Sequence, residues 1–203
     1  MSNYYTRLGD EGFTQLLGQG RVPKYHPRPE ALGAVDEASA ALGFARASTQ
    51  NVMLKQNIFK VQRDLYQLMA ELAATPENAE QFRFISQEQL LWVEKQIEQL
   101  SAGLPALKEF IIAGDTLPSA AFAVARTAMR RAERRVSALI HNGELDNPNI
   151  LPYLNRLSSL CFVMELFEIH SENKATSSVT SNASSHASPF TMIFGSGQTG
   201  AKP

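Results

Sequence analysis

The sequence predicts an all-α protein: an antiparallel five-helix bundle with an extended N-terminal loop and a disordered C-terminal tail. Three observations carry that expectation. Between residues 29 and 171, apolar side chains recur at alternating spacings of three and four, the period of a helix face. Gly or Pro punctuates these stretches, and no run alternates convincingly with the period of two that a half-buried strand requires. With 203 residues and 44% hydrophobic content, the chain suits one domain with a sizeable core, spanning 1–171.

Residues 1–28 read as loop because Gly9, Gly12, Gly18, Gly20, Pro23 and Pro27 break any period. Pro29 fits the first turn of a helix that runs through EALGAVDEASAALGFARA to about Ser48. Ile58, Val61, Leu65, Leu68 and Leu72 form the seam of the second helix, which Pro76 stops. Ser86 followed by Gln89 has the form of a capping box, and Leu90, Val93, Ile97 and Leu100 continue as a third helix until Gly103 and Pro105. A connector with the short apolar stretch Phe110 to Ile112 leads to the fourth. There Phe122, Ala125, Met129, Ala132, Val136 and Leu139 make one stripe, with Gly143 at the C-cap. The fifth runs from about Asn149 to Ser171, burying Ile150, Leu154, Leu157, Cys161 and Met164, with Pro152 in its first turn. From Glu172 the composition turns to Ser, Thr, Asn and Gly, so 172–203 is expected to be a disordered tail. Its one apolar cluster is Phe190, Met192, Ile193 and Phe194.

A formal charge of −1 gives no global reason to bind nucleic acid or an anionic membrane. No apolar run reads as a membrane span, and the N-terminus lacks the pattern of a signal or transit peptide. A single cysteine excludes an intrachain disulfide, and its apolar neighbourhood makes Cys161 a core residue rather than a nucleophile. The expected location is the cytoplasm. His26, His141, His170 and His186 have no metal-ligand spacing, and neither a nucleophile elbow, a Walker loop nor a dinucleotide fingerprint is present.

Two segments could carry chemistry. The fourth helix holds Arg126, Arg130, Arg131, Arg134 and Arg135 around Glu133; Arg126, Arg130 and Arg134, spaced by four, stack on one face beside the apolar stripe. Such a run is either a solvated basic face or an anion site pointing into the bundle or a subunit contact. The N-terminal loop places Thr6, Arg7, Gly9, Asp10, Gly12 and Thr14 close together, followed by Arg21 and Lys24. Glycines admit phosphate oxygens to backbone N–H groups, and Thr, Arg and Lys add donors and charge. Asp36, among Leu32, Val35 and Leu42, is expected to be paired.

Taken in order, TRLGDEGFT, RVPK, GAVDE, ARTAMRRAERR and YLNRLS resemble the PduO-type ATP:cob(I)alamin adenosyltransferases over roughly residues 4 to 165. The resemblance implies a helical-bundle homotrimer with ATP between neighbouring subunits. It implies Thr6, Arg7, Leu8, Gly9, Thr14, Gln15 and Lys24 around the nucleotide, facing Arg130, Arg131, Glu133, Arg134 and Asn155 of the adjacent chain. It further implies Mg²⁺ near Glu133 and Asn155, an intersubunit ion pair of Asp36 with Arg126, and Phe110 with Phe162 against the corrinoid. Arg130 and Phe110 would serve the reaction directly. That reaction moves the 5′-deoxyadenosyl group of ATP to cob(I)alamin, giving adenosylcobalamin and triphosphate. An electron donor and a downstream adenosylcobalamin-dependent enzyme are the partners implied, with no nucleic acid or membrane. The alternative is a non-catalytic relative that binds ATP or adenosylcobalamin as a carrier or sensor. The chain departs from the family pattern at Ile111 to Asp115, where Leu-Pro-Gly-Gly is usual, at Ser159, where Asp is usual, and at Met164 to Ile169, where Leu-Ala-Arg-Tyr is usual.

Overall fold

The computed structural model describes residues 4–18, 20–106 and 111–180, with 172–180 as backbone. Five long helices make up the bundle: α1 (Pro27–Ser48), α2 (Val52–Ala73), α4 (Gln87–Ser101), α5 (Leu117–His141) and α6 (Ile150–Thr180). A one-turn α3 (Ala79–Phe82) follows a 3₁₀ turn at Pro76–Asn78. The central α5 packs between α1 and α6, α2 lies on α1, and α4 lies on α6. The ring closes through Asn57 Nδ2, which donates to Gln96 Oε1 on α4 at 2.9 Å, and Tyr153 OH, which donates to Asp64 Oδ2 on α2 at 2.9 Å.

The apolar seams do what their spacing requires. Ile58, Val61, Leu65, Leu68 and Leu72 are buried, as are all six stripe residues of α5 and Ile150, Leu154, Leu157, Cys161 and Met164 of α6. On α4 the seam is rotated: Gln96 is buried and Ile97 only half-buried, because Asn57 gives the Gln96 amide a partner inside. The Ser86–Gln89 capping box is present. Gly143, at φ 74, ends α5 in a Schellman turn, its N–H donating to Ile140 O and that of Glu144 to Leu139 O.

Four local expectations are corrected. Residues 1–28 are not loop throughout: β1 (Phe13–Gln15) and β2 (Arg21–Pro23) form an antiparallel hairpin, with Thr14 opposite Val22. Three-residue strands are too short for a period of two to be seen, and the glycines flank them rather than abolish them. α1 begins at Pro27 rather than Pro29, since both prolines fit a first turn whose N–H groups have no helical acceptor. α6 continues past Ser171 to Thr180, because residues 172–180 contain neither Gly nor Pro and Ser or Thr alone does not stop a helix. Finally, α6 over Ile150–Ser171 is long and apolar enough to cross a membrane, contrary to expectation, although half of that window is buried in the bundle as core. Residues 181–203, with the Phe190 to Phe194 cluster, lie outside the described residues, as does Phe110.

The hairpin is clasped to the bundle. Leu17 N–H donates to Ala73 O at 2.7 Å, and Leu17 O accepts from Thr75 N–H at 3.1 Å. Beneath it, the buried Arg28 donates to Leu72 O at 3.1 Å, to Ala74 O at 2.7 Å and to Glu144 O, so one guanidinium satisfies carbonyls at the ends of α2 and α5. Glu71, also buried, accepts from Asn147 Nδ2 at 2.8 Å, and burial pushes its carboxyl above the usual carboxylate range.

Candidate active site

The five arginines of α5 divide into two groups. Arg131 pairs with Glu37, and Arg135 with Glu30 at 3.7 Å, both across to α1. Arg126 faces Glu165 on α6 at 4.0 Å. Arg130 and Arg134 make no ion pair among the described residues. One turn apart, these two like charges line a cavity of about 330 Å³ with Glu133, Ser137, Leu151 and Asn155. Two adjacent guanidinium groups without a counter-ion, at the mouth of a cavity, make a site for a polyanion.

Behind them Asn155 Nδ2 donates to Glu133 Oε1 at 2.9 Å, joining α6 to α5 across the cavity floor. Arg156 fixes the other end of that amide: its Nη1 donates to Asn155 Oδ1 at 3.1 Å while its Nε donates to Glu94 on α4 at 3.3 Å. The cavity thus brings together Arg130, Glu133, Arg134 and Asn155 of the expected set, and Arg131 turns away toward α1. Ser137, Leu151 and Arg156 were missed. Ser137 lies one turn beyond Glu133 on the same face, a signal available in the sequence, whereas Arg156 shows its use only once α4 is beside it.

None of the N-terminal set lines that cavity. Thr6, Arg7, Leu8, Gly9, Thr14, Gln15 and Lys24 gather instead around the hairpin. Arg7 has φ 61, a left-handed conformation held by the turn in which its carbonyl accepts from Asp10 N–H at 3.2 Å. Lys24 N–H donates to Gly12 O at 2.9 Å, which lays Lys24 across the turn, and Arg21 Nη2 donates to Leu8 O at 2.6 Å. Thr6 Oγ1 accepts from Leu8 N–H at 3.4 Å. Gln15 is exposed and Thr14 half-buried.

At the other end of α5, the Arg126 guanidinium lies over the Phe162 ring, 5.9 Å from its centroid. Asp36 is exposed on α1 and has no partner among the described residues, so the pairing expected from its apolar neighbours is not met within one chain. Cys161 is buried, and burial pushes its thiol up to about 12, in keeping with a core residue. No cluster of three or more His, Cys, Asp or Glu able to hold a metal occurs among the described residues.

Residues 4–168 match the family model for cobalamin adenosyltransferases. The chain belongs to that family. It is 38% identical over 169 residues to a corrinoid adenosyltransferase of Citrobacter freundii, covering 83% of this chain and 96% of the relative. It is 37% identical over 168 residues to the corrinoid adenosyltransferase PduO of the same organism, where 82% of this chain spans only 50% of the relative's length. Among solved structures, a variant PduO-type ATP:corrinoid adenosyltransferase from Lactobacillus reuteri, complexed with cobalamin and ATP, superposes with a TM-score of 0.77 at 30% identity, covering 83% of this chain and 94% of that one. A second variant from that organism, complexed with ATP, matches equally well at a TM-score of 0.77, 30% identity, and 83% and 95% coverage. Within the family, the cavity residues of α5 and α6 lie inside the matched span, and so does the hairpin.

Proposed function

We propose that the chain transfers the 5′-deoxyadenosyl group of ATP to cob(I)alamin, releasing triphosphate, as a head-to-tail homotrimer. The observation that carries this is the pair Arg130 and Arg134, left without counter-ions among the described residues beside the Glu133–Asn155 bond in a chain of this family. The cobalt of the substrate is the nucleophile, forming a bond to C5′ as the C5′–oxygen bond breaks, so the protein supplies orientation and charge. Arg130 and Arg134 stabilise the triphosphate as it leaves. Arg131, held by Glu37, contributes to the nucleotide less directly.

The hairpin residues Thr6, Arg7, Leu8, Gly9, Thr14, Gln15 and Lys24 of one subunit close over the α5–α6 cavity of the next. Supporting this, the cavity has no lining from its own hairpin, and a head-to-tail contact that closes gives a ring. Asp36 of one subunit meets Arg126 of its neighbour. Of Glu133 and Asn155, the Glu133 carboxylate is the hard oxygen donor that fits Mg²⁺ when phosphate oxygens and water complete its shell, and Asn155, whose own oxygen accepts from Arg156, orients that carboxylate through its Nδ2. Bound there, Mg²⁺ would neutralise phosphate charge. Phe162, with Phe110, packs against the corrin ring and keeps water from the cobalt. A cellular electron donor supplies cob(I)alamin, a downstream adenosylcobalamin-dependent enzyme takes the product, and the enzyme works in the cytoplasm.

Incubating the pure protein with ATP, Mg²⁺ and chemically reduced cobalamin should consume the cob(I)alamin absorbance and yield adenosylcobalamin and triphosphate. Binding of ATP and cobalamin without any turnover would instead favour a carrier.

A further inference from the structure

Glu165 on α6 is a carboxyl that the reaction above does not use. It is 1% exposed, and its Oε2 receives no hydrogen bond. Facing it at 4.0 Å is Arg126 Nε, also buried and without a hydrogen-bond acceptor among the described residues. The pair is close enough to attract and too far apart for a hydrogen bond. The same guanidinium covers the Phe162 ring, which precedes Glu165 by almost one turn of α6. Burial raises the proton affinity of Glu165, the Arg126 charge opposes that rise, and Asp115, where the connector meets α5, adds to it with a second negative charge.

A buried carboxyl with an unfilled oxygen costs stability, so its presence needs a reason. What the carboxyl does in the fold is hold Arg126 from below while Phe162 supports it from the side. Without that hold, Arg126, whose side chain is 34% exposed, is free to swing toward water.

We infer that Glu165 is a positioning residue for the corrinoid: by holding Arg126 across the α5–α6 seam it fixes the Phe162 ring. The inference rests on the assignment of Phe162 to the corrin ring. Because about a third of the Arg126 side chain stays exposed, the same guanidinium can also meet a neighbour's Asp36, and the internal carboxyl sets the orientation that the subunit contact then uses.

The test compares the full chain with Glu165→Gln, Arg126→Lys and the double variant, measuring KM for reduced cobalamin and KM for ATP separately. Gln keeps the shape and removes the charge; Lys keeps the charge and removes the planar fork that lies on the ring. Glu165→Gln should raise the corrinoid KM about fivefold to tenfold, with kcat and the ATP KM within about twofold; Arg126→Lys, which also faces the neighbour's Asp36, should raise it at least as much, and the double should be no worse than the poorer single. Equal rises in both KM values would mean a merely structural pair and overturn the inference, as would additive losses. If Glu165→Gln does not fold, Glu165→Ala, which leaves Arg126 free to meet the neighbour's Asp36, takes its place, and an unchanged corrinoid KM there is fatal. Wild-type protein without turnover overturns the proposed function and this inference together, whereas wild-type turnover with a silent Glu165→Gln overturns this inference only.

Discussion

The Lys24 ammonium lies against Gly9 so closely that a methyl group on Gly9 would come within 2.9 Å of Nζ and 3.2 Å of Cε. The glycine is there for the lysine. Gly9→Ala moves the flexible end of a side chain, not backbone, so the fold should survive while the ammonium is displaced. Gly9→Ala and Lys24→Ala should each weaken ATP binding by roughly tenfold with an unchanged melting temperature. Isothermal titration giving wild-type ATP affinity in both would detach the hairpin from the nucleotide.

The division among the α5 arginines gives an ordering. Arg130→Ala and Arg134→Ala remove cations that have no ion-pair partner among the described residues, so each should lower ATP affinity by about tenfold or more. Arg131→Ala breaks an exposed pair with Glu37, and such pairs contribute little. Its ATP affinity should stay closer to wild type. Titration of the three variants side by side checks this, and a largest loss at Arg131 would reverse the assignment.

Glu165 alters what a charge exchange across the subunit contact can achieve. Replacing Asp36 by Arg and Arg126 by Asp preserves the intersubunit pair but sets the new Asp against the buried Glu165. Assembly should recover poorly from that exchange and much better when Glu165→Ala is added. Light scattering that finds a full trimer with the exchange alone would rule out the buried repulsion. A fully active wild-type monomer would rule out the ring.

The raised proton affinity of Glu165 also makes a statement about stability. The folded state binds the proton more tightly than the unfolded chain, whose carboxyl titrates near 4.5. Its burial penalty is therefore present at neutral pH, relieved as pH falls through the raised folded value, and absent below the unfolded one. Glu165→Gln should be at least as stable as wild type at neutral pH, and its advantage should shrink on acidification. Urea unfolding of both proteins at several pH values checks this; an advantage that grows toward acid would have the wrong sign.

Long seams were legible because burial repeats: Ile58 to Leu72 and Phe122 to Leu139 each show their face several times over. The hairpin was not, since Phe13–Gln15 and Arg21–Pro23 offer one inward residue or so apiece. Within the candidate site, the residues themselves marked the α5 arginines only as a group, and the family resemblance singled out Arg130, Arg131 and Arg134. Which of them are neutralised depends on Glu37, Glu30 and Glu165, residues far away in sequence and brought near by packing. Arg28 and Arg156 escaped for the same reason, because their acceptors are carbonyls and side chains of other helices. Asp36 shows the converse: its apolar neighbours in sequence suggested pairing, yet it is exposed on α1 with no partner among the described residues, and the partner proposed for it, Arg126, belongs to a neighbouring subunit.

The clasp at Leu17 separates two events in time. Because its amide and carbonyl are already engaged with Ala73 and Thr75 in the chain alone, a hairpin that meets the nucleotide as proposed is anchored to the bundle before ATP arrives. The conformational freedom of that segment is given up once, when the chain folds, and not again in every catalytic cycle. A segment that ordered itself around each ATP would have to melt before the triphosphate could depart. A clasped hairpin can let the product go and stand ready for the next nucleotide.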